Sequence, residues 1–243
     1  MEIGVKTDAG RVRDINQDAY YVSSNEEYPL FIVADGMGGH KAGEVASRMA
    51  IEIISKKLIE SLKNLILDDK GIQDLIKESI FLANEEIYQK SLEDEKFSGM
   101  GTTVILAYVT DNKIFIGHVG DSRAYLLRKG VLHQITQDHT LVEELIKNGS
   151  ISREEAKHHP QRNIITRAVG TSKNIDLDLI IEQKYKDDIL LLCSDGLTNM
   201  LKDEEIRESL LTNKDIQIAC EDLIRLSNDR GGYDNITVLA VKF

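Results

Sequence analysis

The chain has 243 residues and a formal net charge of −11; 42% of its residues are hydrophobic and 29% are charged. This balance is typical of a globular protein with a substantial core and excludes a largely disordered chain. The negative charge argues against binding to nucleic acids or anionic membranes, because both require a basic face. The apolar runs are short, so we expect neither a secretory signal nor a membrane span.

The two cysteines, Cys193 and Cys220, lie far apart and have neither CxxC spacing nor a histidine-rich neighbour. We therefore predict two reduced core residues of a cytoplasmic protein, rather than a disulfide or a zinc site. The sequence contains no amphipathic tail or heptad run that would require a partner chain, and we expect a monomer.

The predicted elements come in blocks. Residues 1–34 have the pattern of short strands, of which DAYYVSS and LFIVA are the clearest. From Ala42 the apolar period is helical, and a second helix follows from Ile72; together they predict a helical hairpin that packs one face on a sheet. Two β-hairpins come next, with turns at residues 111–112 and 129–130.

Residues 138–166 are polar and partly helical, and we interpret them as a flap subdomain within a single domain that spans residues 1–243. The strand ILLLCS, two short helices and the closing strand NITVLAVKF complete the pattern. Strands and helices thus occur in runs rather than in strict alternation. This order predicts an α+β fold with an antiparallel sheet core and helices packed outside.

Aspartates recur where predicted strands end or begin. Asp35 follows the apolar run 30–34, Asp121 and Asp195 follow later apolar strands, and Asp234 precedes the last strand. Any one of them alone is more typical of a turn, because Asp-Gly is a common turn pair. Several carboxylates that meet at the ends of adjacent strands repel one another and stay ionised only with a compensating cation.

Oxygen ligands without a cluster of histidine or cysteine favour a hard cation, Mg²⁺ or Mn²⁺. Gly36 comes directly after Asp35, so a backbone carbonyl could approach such an ion with no side chain in the way. The sequence predicts this metal site but does not by itself establish that the strands are neighbours.

The segment RVRDINQD, residues 11–18, places Arg13 near Asp18 just before a predicted strand. Such a pair is most often a weak surface ion pair. Its functional interpretation is a guanidinium that binds two oxygens of a phosphate, which lysine does not do. An arginine of this kind beside metal ions suits metal-assisted phosphoester hydrolysis.

Other phosphate chemistries have sequence requirements that this chain does not meet. Six residues after Cys193 stands Asn199, where a cysteine phosphatase needs arginine. Asp35 does not begin the DxDx[TV] loop of an aspartyl-phosphate enzyme, and GMGGHKAGE lacks the GK[ST] ending of a P-loop. With six histidines in the chain, a histidine-rich binuclear phosphatase is also disfavoured.

Six motifs occur in order along nearly the whole chain. They are RxxNQD at Arg13–Asp18, DGMGGH at Asp35–His40, SGMGTT at Ser98–Thr103, GDSRAY at Gly120–Tyr125, SDGL at Ser194–Leu197 and GGYDN at Gly231–Asn235. Together they resemble the metal-dependent protein phosphatase family, the type-2C serine/threonine phosphatases, in its compact bacterial form. The resemblance implies a four-layer α-β-β-α sandwich of two central antiparallel β-sheets flanked by helices.

The resemblance also implies a role for each matching residue. Asp35 would bridge two Mg²⁺ or Mn²⁺ ions, the Gly36 carbonyl would bind one of them, and Asp195 and Asp234 would hold the other. Asp18 would act through water on the metal.

Asp121, together with Asp195, matches the positions that hold a third, weaker ion in bacterial members, and Arg13 would bind the substrate phosphate. Gln17 stands where the family often has glutamate, which keeps a hydrogen bond and loses a charge. For His40, the third expected catalytic residue beside Arg13 and Asp35, protonation of the leaving group and a structural role remain alternatives.

The implied activity is hydrolysis of phosphoserine and phosphothreonine esters in proteins by a metal-activated water, without a covalent phosphoenzyme. Phosphorylated proteins, among them a serine/threonine kinase and its targets, are the implied partners in bacterial signalling. One rival is a non-catalytic phosphoprotein-binding protein, but such a protein should have lost metal-binding acids that this chain retains. A phosphohydrolase of nucleotides is a second rival that the sequence leaves open.

Overall fold

The structure is a computed structural model that describes residues 1–23, 27–39 and 42–243. Its strands are β1 Glu2–Asp8, β2 Asp18–Val22, β3 Leu30–Met37, β4 Gly101–Thr102, β5 Val104–Val109, β6 Lys113–Val119, β7 Arg123–Arg128, β8 Val131–Gln134, β9 Asp178–Gln183, β10 Ile189–Cys193 and β11 Ile236–Lys242. Its helices are α1 Ala42–Leu62, α2 Asp69–Glu93, α3 Leu141–Lys147, α4 Arg153–Lys157, α5 Asp195–Thr198, α6 Asp203–Thr212 and α7 Ile216–Asp229, with a 3₁₀ turn at Glu95–Phe97.

The strands form two antiparallel sheets. The order is β1-β11-β10-β7-β8 in the five-stranded sheet and β2-β3-β5-β6-β9 in the six-stranded sheet, where the short β4 also pairs with β3. Helices α1 and α2 cover the six-stranded sheet, and α5, α6 and α7 cover the five-stranded sheet. The predicted four-layer α-β-β-α sandwich is therefore confirmed.

The apolar strands are buried on both faces, which is why their sequences do not alternate between apolar and polar residues. In β3, Phe31 and Val33 belong to the core between the sheets, whereas Leu30 and Ile32 pack in the core shared with α1 and α2. Strand β10 divides its residues in the same way between the intersheet core and the layer of α5 to α7. Each central strand is thereby fixed from two sides.

The predicted helical hairpin and both predicted β-hairpins are confirmed. The start of the second helix was predicted too late, since α2 begins at Asp69 and not at Ile72. The reason is an N-cap: the Asp68 side chain accepts a 2.8 Å hydrogen bond from the backbone of Gly71, which stabilises a polar first turn.

Strand β9 is absent from the sequence-based prediction. Its segment DLIIEQ has three apolar residues between polar ones, which is too short a pattern to separate from a loop. The strand forms because it pairs with β6 at the edge of the six-stranded sheet, from Gly117 to Lys113 on the β6 side and from Leu179 to Gln183 on its own. Tertiary pairing, rather than local preference, decides this element.

Residues 138–166 contain α3 and α4 and no strand of either sheet. Thr140 and Ser152 cap the two helices, and a bridge between Thr140 and Ile165 joins the two ends of the segment. That this segment is a flap of a single domain stays a prediction.

Cys193 and Cys220 are free and buried, as predicted for core thiols. Among the helices of the described residues, none combines the length and the apolar character needed to cross a membrane.

Candidate metal centre

The fold brings the predicted acids together from both sheets. Asp18 begins β2 and Asp35 lies in β3, and the two are partners in the antiparallel register of the six-stranded sheet. Asp195 lies two residues after the end of β10, and Asp234 lies two residues before β11, so both come from the five-stranded sheet. Both Asp234 and Asp35 affect the pKa of Asp195, so the acids of the two sheets lie close together at this junction.

Asp18 is held by hydroxyl groups of the opposite sheet. Its Oδ2 accepts hydrogen bonds from Ser194 Oγ at 2.8 Å and from Thr237 Oγ1 at 2.7 Å. Ser194 immediately precedes Asp195, so the same contact fixes the end of β10 against β2. The two sheets are therefore joined by polar bonds at the place where the acids converge.

The carboxyl groups raise one another's pKa. Burial, followed by the charges of the four other acids, Asp18, Asp195, Asp121 and Asp234, raises the pKa of Asp35 well above its usual range. Because the charges of all four of these acids affect its pKa, Asp35 lies at the centre of the group.

Burial raises the pKa of Asp18 to about 7, with further contributions from Asp195 and Asp234, while the Thr237 and Ser194 hydroxyls oppose the shift. Burial and then the charge of Asp234 raise the pKa of Asp195. Mutual repulsion of this kind is what a divalent cation would relieve.

Two carboxylate oxygens lack a partner. Asp18 Oδ1 and Asp121 Oδ1 are buried and receive no hydrogen bond from the described residues. Buried polar atoms are nearly always satisfied by protein, water or an ion. A set of several acids with orphaned oxygens therefore fits Mg²⁺ or Mn²⁺, which prefer carboxylate oxygen.

Gly36 is confined by backbone on two sides. A Cβ atom at this position would lie 2.1 Å from the carbonyl oxygen of Gly43 in α1 and 2.7 Å from that of Gln17. Only glycine allows β3 to come this close to α1, and this approach aims Asp35 at the acids of the other sheet. That the Gly36 carbonyl binds a metal stays a prediction.

Arg13 lies at the rim of the carboxylate cluster. Its Nη2 donates a hydrogen bond to Asp234 Oδ2 at 2.8 Å, and 54% of its side chain is exposed. The bond to Asp234 and its charge raise the pKa of Arg13, and the charges of Asp35 and Asp195 raise it further. A permanent, accessible cation thus stands directly beside the acids. His40, by contrast, lies outside the described residues.

Asp121 comes from the loop after β6 and lies near Asp195. Burial first, and then the charge of Asp195, raises its pKa well above the usual range. Both side chains line a cavity of about 510 Å³, and Arg153 and Arg162 of the segment 138–166 line the same cavity.

Polar residues that were not among the predicted site residues position the acids. Thr103 accepts a hydrogen bond from the Asp35 backbone with its Oγ1 at 3.0 Å and donates its own N–H to the Asp35 carbonyl at 2.9 Å. Asn235 accepts a bond from the backbone of Gln17 at 2.8 Å and donates to the carbonyls of Ala9 and Ile15. Both residues belong to motifs named above, SGMGTT and GGYDN, and these motifs were the sequence signal that could have identified them.

A separate cluster was also missed. His118, His139 and Asp178 have ligand atoms within 4.8 Å of one another, although the sequence showed no histidine cluster. Arg167 Nη1 lies 3.6 Å from Asp178 Oδ1 and 3.3 Å from His139 Nε2, so a cation already faces this carboxylate. His139 Nδ1 accepts a 3.1 Å bond from the backbone of Gly120.

The arrangement identifies His139 as a residue that positions the loop before Asp121, rather than as a surface residue of the segment 138–166. Burial lowers the pKa of His139, and it lowers that of His118 to about 4. Both rings are therefore neutral near pH 7.

Comparison with known proteins agrees with this architecture. The family model of protein phosphatase 2C matches residues 9–228. The serine/threonine phosphatase stp of Listeria monocytogenes serotype 4b is 41% identical over 243 residues, which is 100% of this chain and 96% of that protein. The crystal structure of the serine/threonine phosphatase Stp1 from Staphylococcus aureus is similar with a TM-score of 0.92 at 37% identity, covering 100% of this chain and 95% of that chain.

A further solved structure bears on the metal. The catalytic domain of the serine/threonine protein phosphatase PstP, in complex with two manganese ions, is similar with a TM-score of 0.85 at 33% identity, over 98% of this chain and 96% of that one. The two-sheet sandwich is thus an architecture found in solved phosphatases. The chain belongs to the protein phosphatase 2C family, which confirms the predicted family and enzyme class.

Proposed function

We propose that this protein hydrolyses phosphoserine and phosphothreonine esters of proteins at a centre of two Mg²⁺ or Mn²⁺ ions. The observation that carries the proposal is the convergence of Asp18, Asp35, Asp195 and Asp234 from both sheets, with Arg13 bound to Asp234 at 2.8 Å. The family and its named phosphatases support the same reaction.

The carboxylates supply the charge that holds the ions. Asp35, which experiences the charges of all the other acids, would hold both ions. The Gly36 carbonyl, Asp195 and Asp234 would be further ligands, and Asp18 would act through water. When bound, the ions would supply a Lewis acid for the phosphate and lower the pKa of a nearby water.

Arg13 orients the phosphate. Its guanidinium is largely exposed and bonded to Asp234 through Nη2 alone, so its remaining N–H groups are available to the non-bridging phosphate oxygens. Charge that develops on these oxygens in the transition state is stabilised by a cation already in place.

No protein nucleophile takes part in the proposed reaction. Cys193, which lies closest in sequence to Asp195, is buried, and burial raises the pKa of its thiol to about 12. A thiol of this pKa does not form the reactive thiolate near pH 7. Direct attack by water without a phosphoenzyme fits this arrangement.

Asp121 and Asp195 would hold a third, weaker ion. The unpartnered Asp121 Oδ1 and the effect of the Asp195 charge on Asp121 support this assignment. The segment 138–166 acts as the flap that shapes substrate choice, because it lines the same 510 Å³ cavity as these two acids.

The substrates are phosphoproteins, including a serine/threonine kinase and its targets, and the enzyme acts as a monomer in the bacterial cytoplasm. The two free, buried cysteines are compatible with a reducing compartment.

The experiment compares a phosphothreonine peptide with nucleotides, each with Mn²⁺ and with chelator. Asp35→Asn and Asp234→Asn are the test variants, and Asp111→Asn, an exposed acid in the β5–β6 turn, is the matched control. We expect Mn²⁺-dependent phosphate release from the peptide by the wild type and the control, and its loss in both test variants. Isothermal titration calorimetry should show that Mn²⁺ binds to the wild type and the control and that both test variants lose this binding.

Equal rates in chelator, or wild-type rates in both test variants, would refute the metal centre. A preference for nucleotides would instead refute the protein substrate and leave the metal chemistry intact.

A further inference from the structure

A second, larger cleft lies far from the carboxylates. Its volume is about 1070 Å³, and it is formed where β7 ends, where β10 begins and by the loop between α6 and α7. Strand β10 runs from Ile189 at this cleft to the acids beyond Cys193. Because a strand advances about 3.3 Å per residue, the cleft and Asp195 are about 20 Å apart.

The lining of this cleft is basic in an acidic protein. Its basic side chains are Arg128, Lys129, Lys186, Lys214 and Lys242, and its acidic ones are Asp187 and Asp188. Five positive and two negative charges leave a surplus of three positive charges, whereas the whole chain has a net charge of −11. This local reversal of charge attracts anionic groups.

Part of this charge is already used by the fold. Arg128 donates three hydrogen bonds to the buried Asp188, at 2.8, 3.1 and 3.2 Å, and its guanidinium also stacks on Tyr185. Lys242 lies 3.7 Å from Glu2. Within residues 1–23, 27–39 and 42–243, by contrast, Lys129, Lys186 and Lys214 form no ion pair.

Two of the three unpaired lysines, Lys129 and Lys186, stand on connections that the fold holds in place. Lys129 has a φ of 50° and Asp187, next to Lys186, has a φ of 67°; in the described chain, these are the two non-glycine residues with positive φ. The carbonyl of Gly130 accepts a 2.5 Å bond from Arg207 of α6, and the Asp187 N–H donates to Phe243 at 2.9 Å. The positive φ at Lys129 belongs to the two-residue turn between β7 and β8, so the hairpin fixes where this lysine stands.

The same cleft exposes large apolar side chains. Tyr185 is 58% exposed and Leu211 is 47% exposed, and both are among its lining residues. A ligand that complements this surface carries negative charge together with an apolar side chain. Free phosphate or a metal ion would leave the apolar part uncovered.

We propose that this cleft, the distal basic cleft, docks an acidic segment with a large apolar side chain in a phosphoprotein substrate. This inference rests on the proposed function, since the docked segment belongs to the same substrate molecule whose phosphate is hydrolysed at the centre around Asp35. At a separation of about 20 Å, docking and hydrolysis are compatible when at least about six extended residues separate the two parts of the substrate.

Direct binding is the first test. The probe is a fluorescent twelve-residue peptide of aspartate and glutamate with one central leucine, measured by anisotropy against the full chain. The test variant combines Lys129→Asn, Lys186→Gln and Lys214→Gln; asparagine tolerates the positive φ at position 129. The control variant neutralises three exposed lysines elsewhere, Lys56→Gln, Lys63→Gln and Lys173→Gln, so that both variants have the same net charge.

We expect the test variant to bind the peptide about tenfold more weakly than the control, because each exposed ion pair contributes modestly. Binding should weaken further with added NaCl. Equal affinity of the two variants would overturn the proposal, as would sedimentation showing a dimer of the chain that the test variant abolishes.

The second test joins the same acidic segment to a phosphothreonine through a glycine-serine spacer of three or of fifteen residues. We expect the long spacer alone to lower KM for the wild type and the control, with kcat unchanged, and the test variant to lose this advantage. A lower KM with both spacers, or with neither, would overturn substrate docking. If none of the peptides is hydrolysed, the proposed function is refuted. The anisotropy measurement would still test whether the distal basic cleft binds the acidic peptide.

Discussion

Asp18 and Asp35 face each other in the register of β2 and β3, and the side chain of Asp18 is bonded to the opposite sheet through Ser194 and Thr237. The acidic pair is thus part of the junction between the sheets. Its repulsion acts directly on the stability of the sandwich when no cation is bound.

Asp35→Asn should stabilise the metal-stripped protein and abolish its response to metal. Removal of the central charge relieves the repulsion that raises the pKa of Asp35, and the free energy of unfolding in chelator should increase by at least about 1 kcal/mol. Urea unfolding with chelator and with Mn²⁺ measures both effects. A variant that is less stable than wild type in chelator, or that Mn²⁺ stabilises as strongly as wild type, would contradict the prediction.

The metal-stripped protein should become more stable as the pH falls from about 8 to about 6.5, the ordinary pKa of histidine, below which the lowered pKa values of the buried His118 and His139 oppose the trend. The folded pKa of Asp18, about 7, lies above its ordinary value of 3.8, so the folded state binds a proton more tightly than the unfolded state in this window. Protonation therefore favours folding until the unfolded carboxyl also titrates. Thermal unfolding in chelator across this range tests the sign; in saturating Mn²⁺ the trend should reverse, because protons then compete with the ions.

Arg13→Ala should lower kcat/KM by about a hundredfold, and Arg13→Lys by about tenfold, because lysine keeps the charge but not the planar pair of donors. Folding should hardly change, since the ion pair with Asp234 is largely exposed. Steady-state kinetics with a phosphothreonine peptide and a urea titration separate the two effects. Equal kinetics of the lysine variant and the wild type would argue against bidentate phosphate binding.

Gly36→Ala should destabilise the fold by about 3 kcal/mol or more, since the new methyl group meets the carbonyl of Gly43 at 2.1 Å and backbone cannot move aside cheaply. Gly39→Ala is the matched control, because a Cβ there has no neighbour within 4 Å in the described structure. The midpoints of urea unfolding should therefore differ widely between these two variants, although the substituted positions are three residues apart. Similar midpoints would show that β3 and α1 can separate.

His139→Ala should cost about 1–3 kcal/mol of stability, because the buried N–H of Gly120 loses its acceptor. His139→Asn places an oxygen near the Nδ1 position and should recover part of this loss. If His139 positions the loop of Asp121, the alanine variant should also need more Mn²⁺ for half-maximal activity, with a smaller change for asparagine. An unchanged Mn²⁺ requirement in the alanine variant would restrict His139 to packing.

Much of the site follows from local sequence. Apolar runs that end in an aspartate, such as the run before Asp35, predicted both the central strands and the acids beyond them. Gly36 was recognisable because glycine is required where backbone must approach closely. Elements with weak local patterns, such as β9, were not predictable, because pairing with β6 rather than intrinsic preference forms them.

The sequence by itself determined the residue types: carboxylates and an arginine that suit hard cations and phosphate, on a chain able to bury two apolar sheets. Tertiary structure decided which groups meet. It set Asp18 against Asp35 and turned His139 toward Gly120. It also brought lysines from three separate connections, Lys129 among them, into one cleft. The physical reason is that spacing along a chain encodes local conformation, whereas distances between remote residues follow from how the two sheets pack and in which register their strands pair.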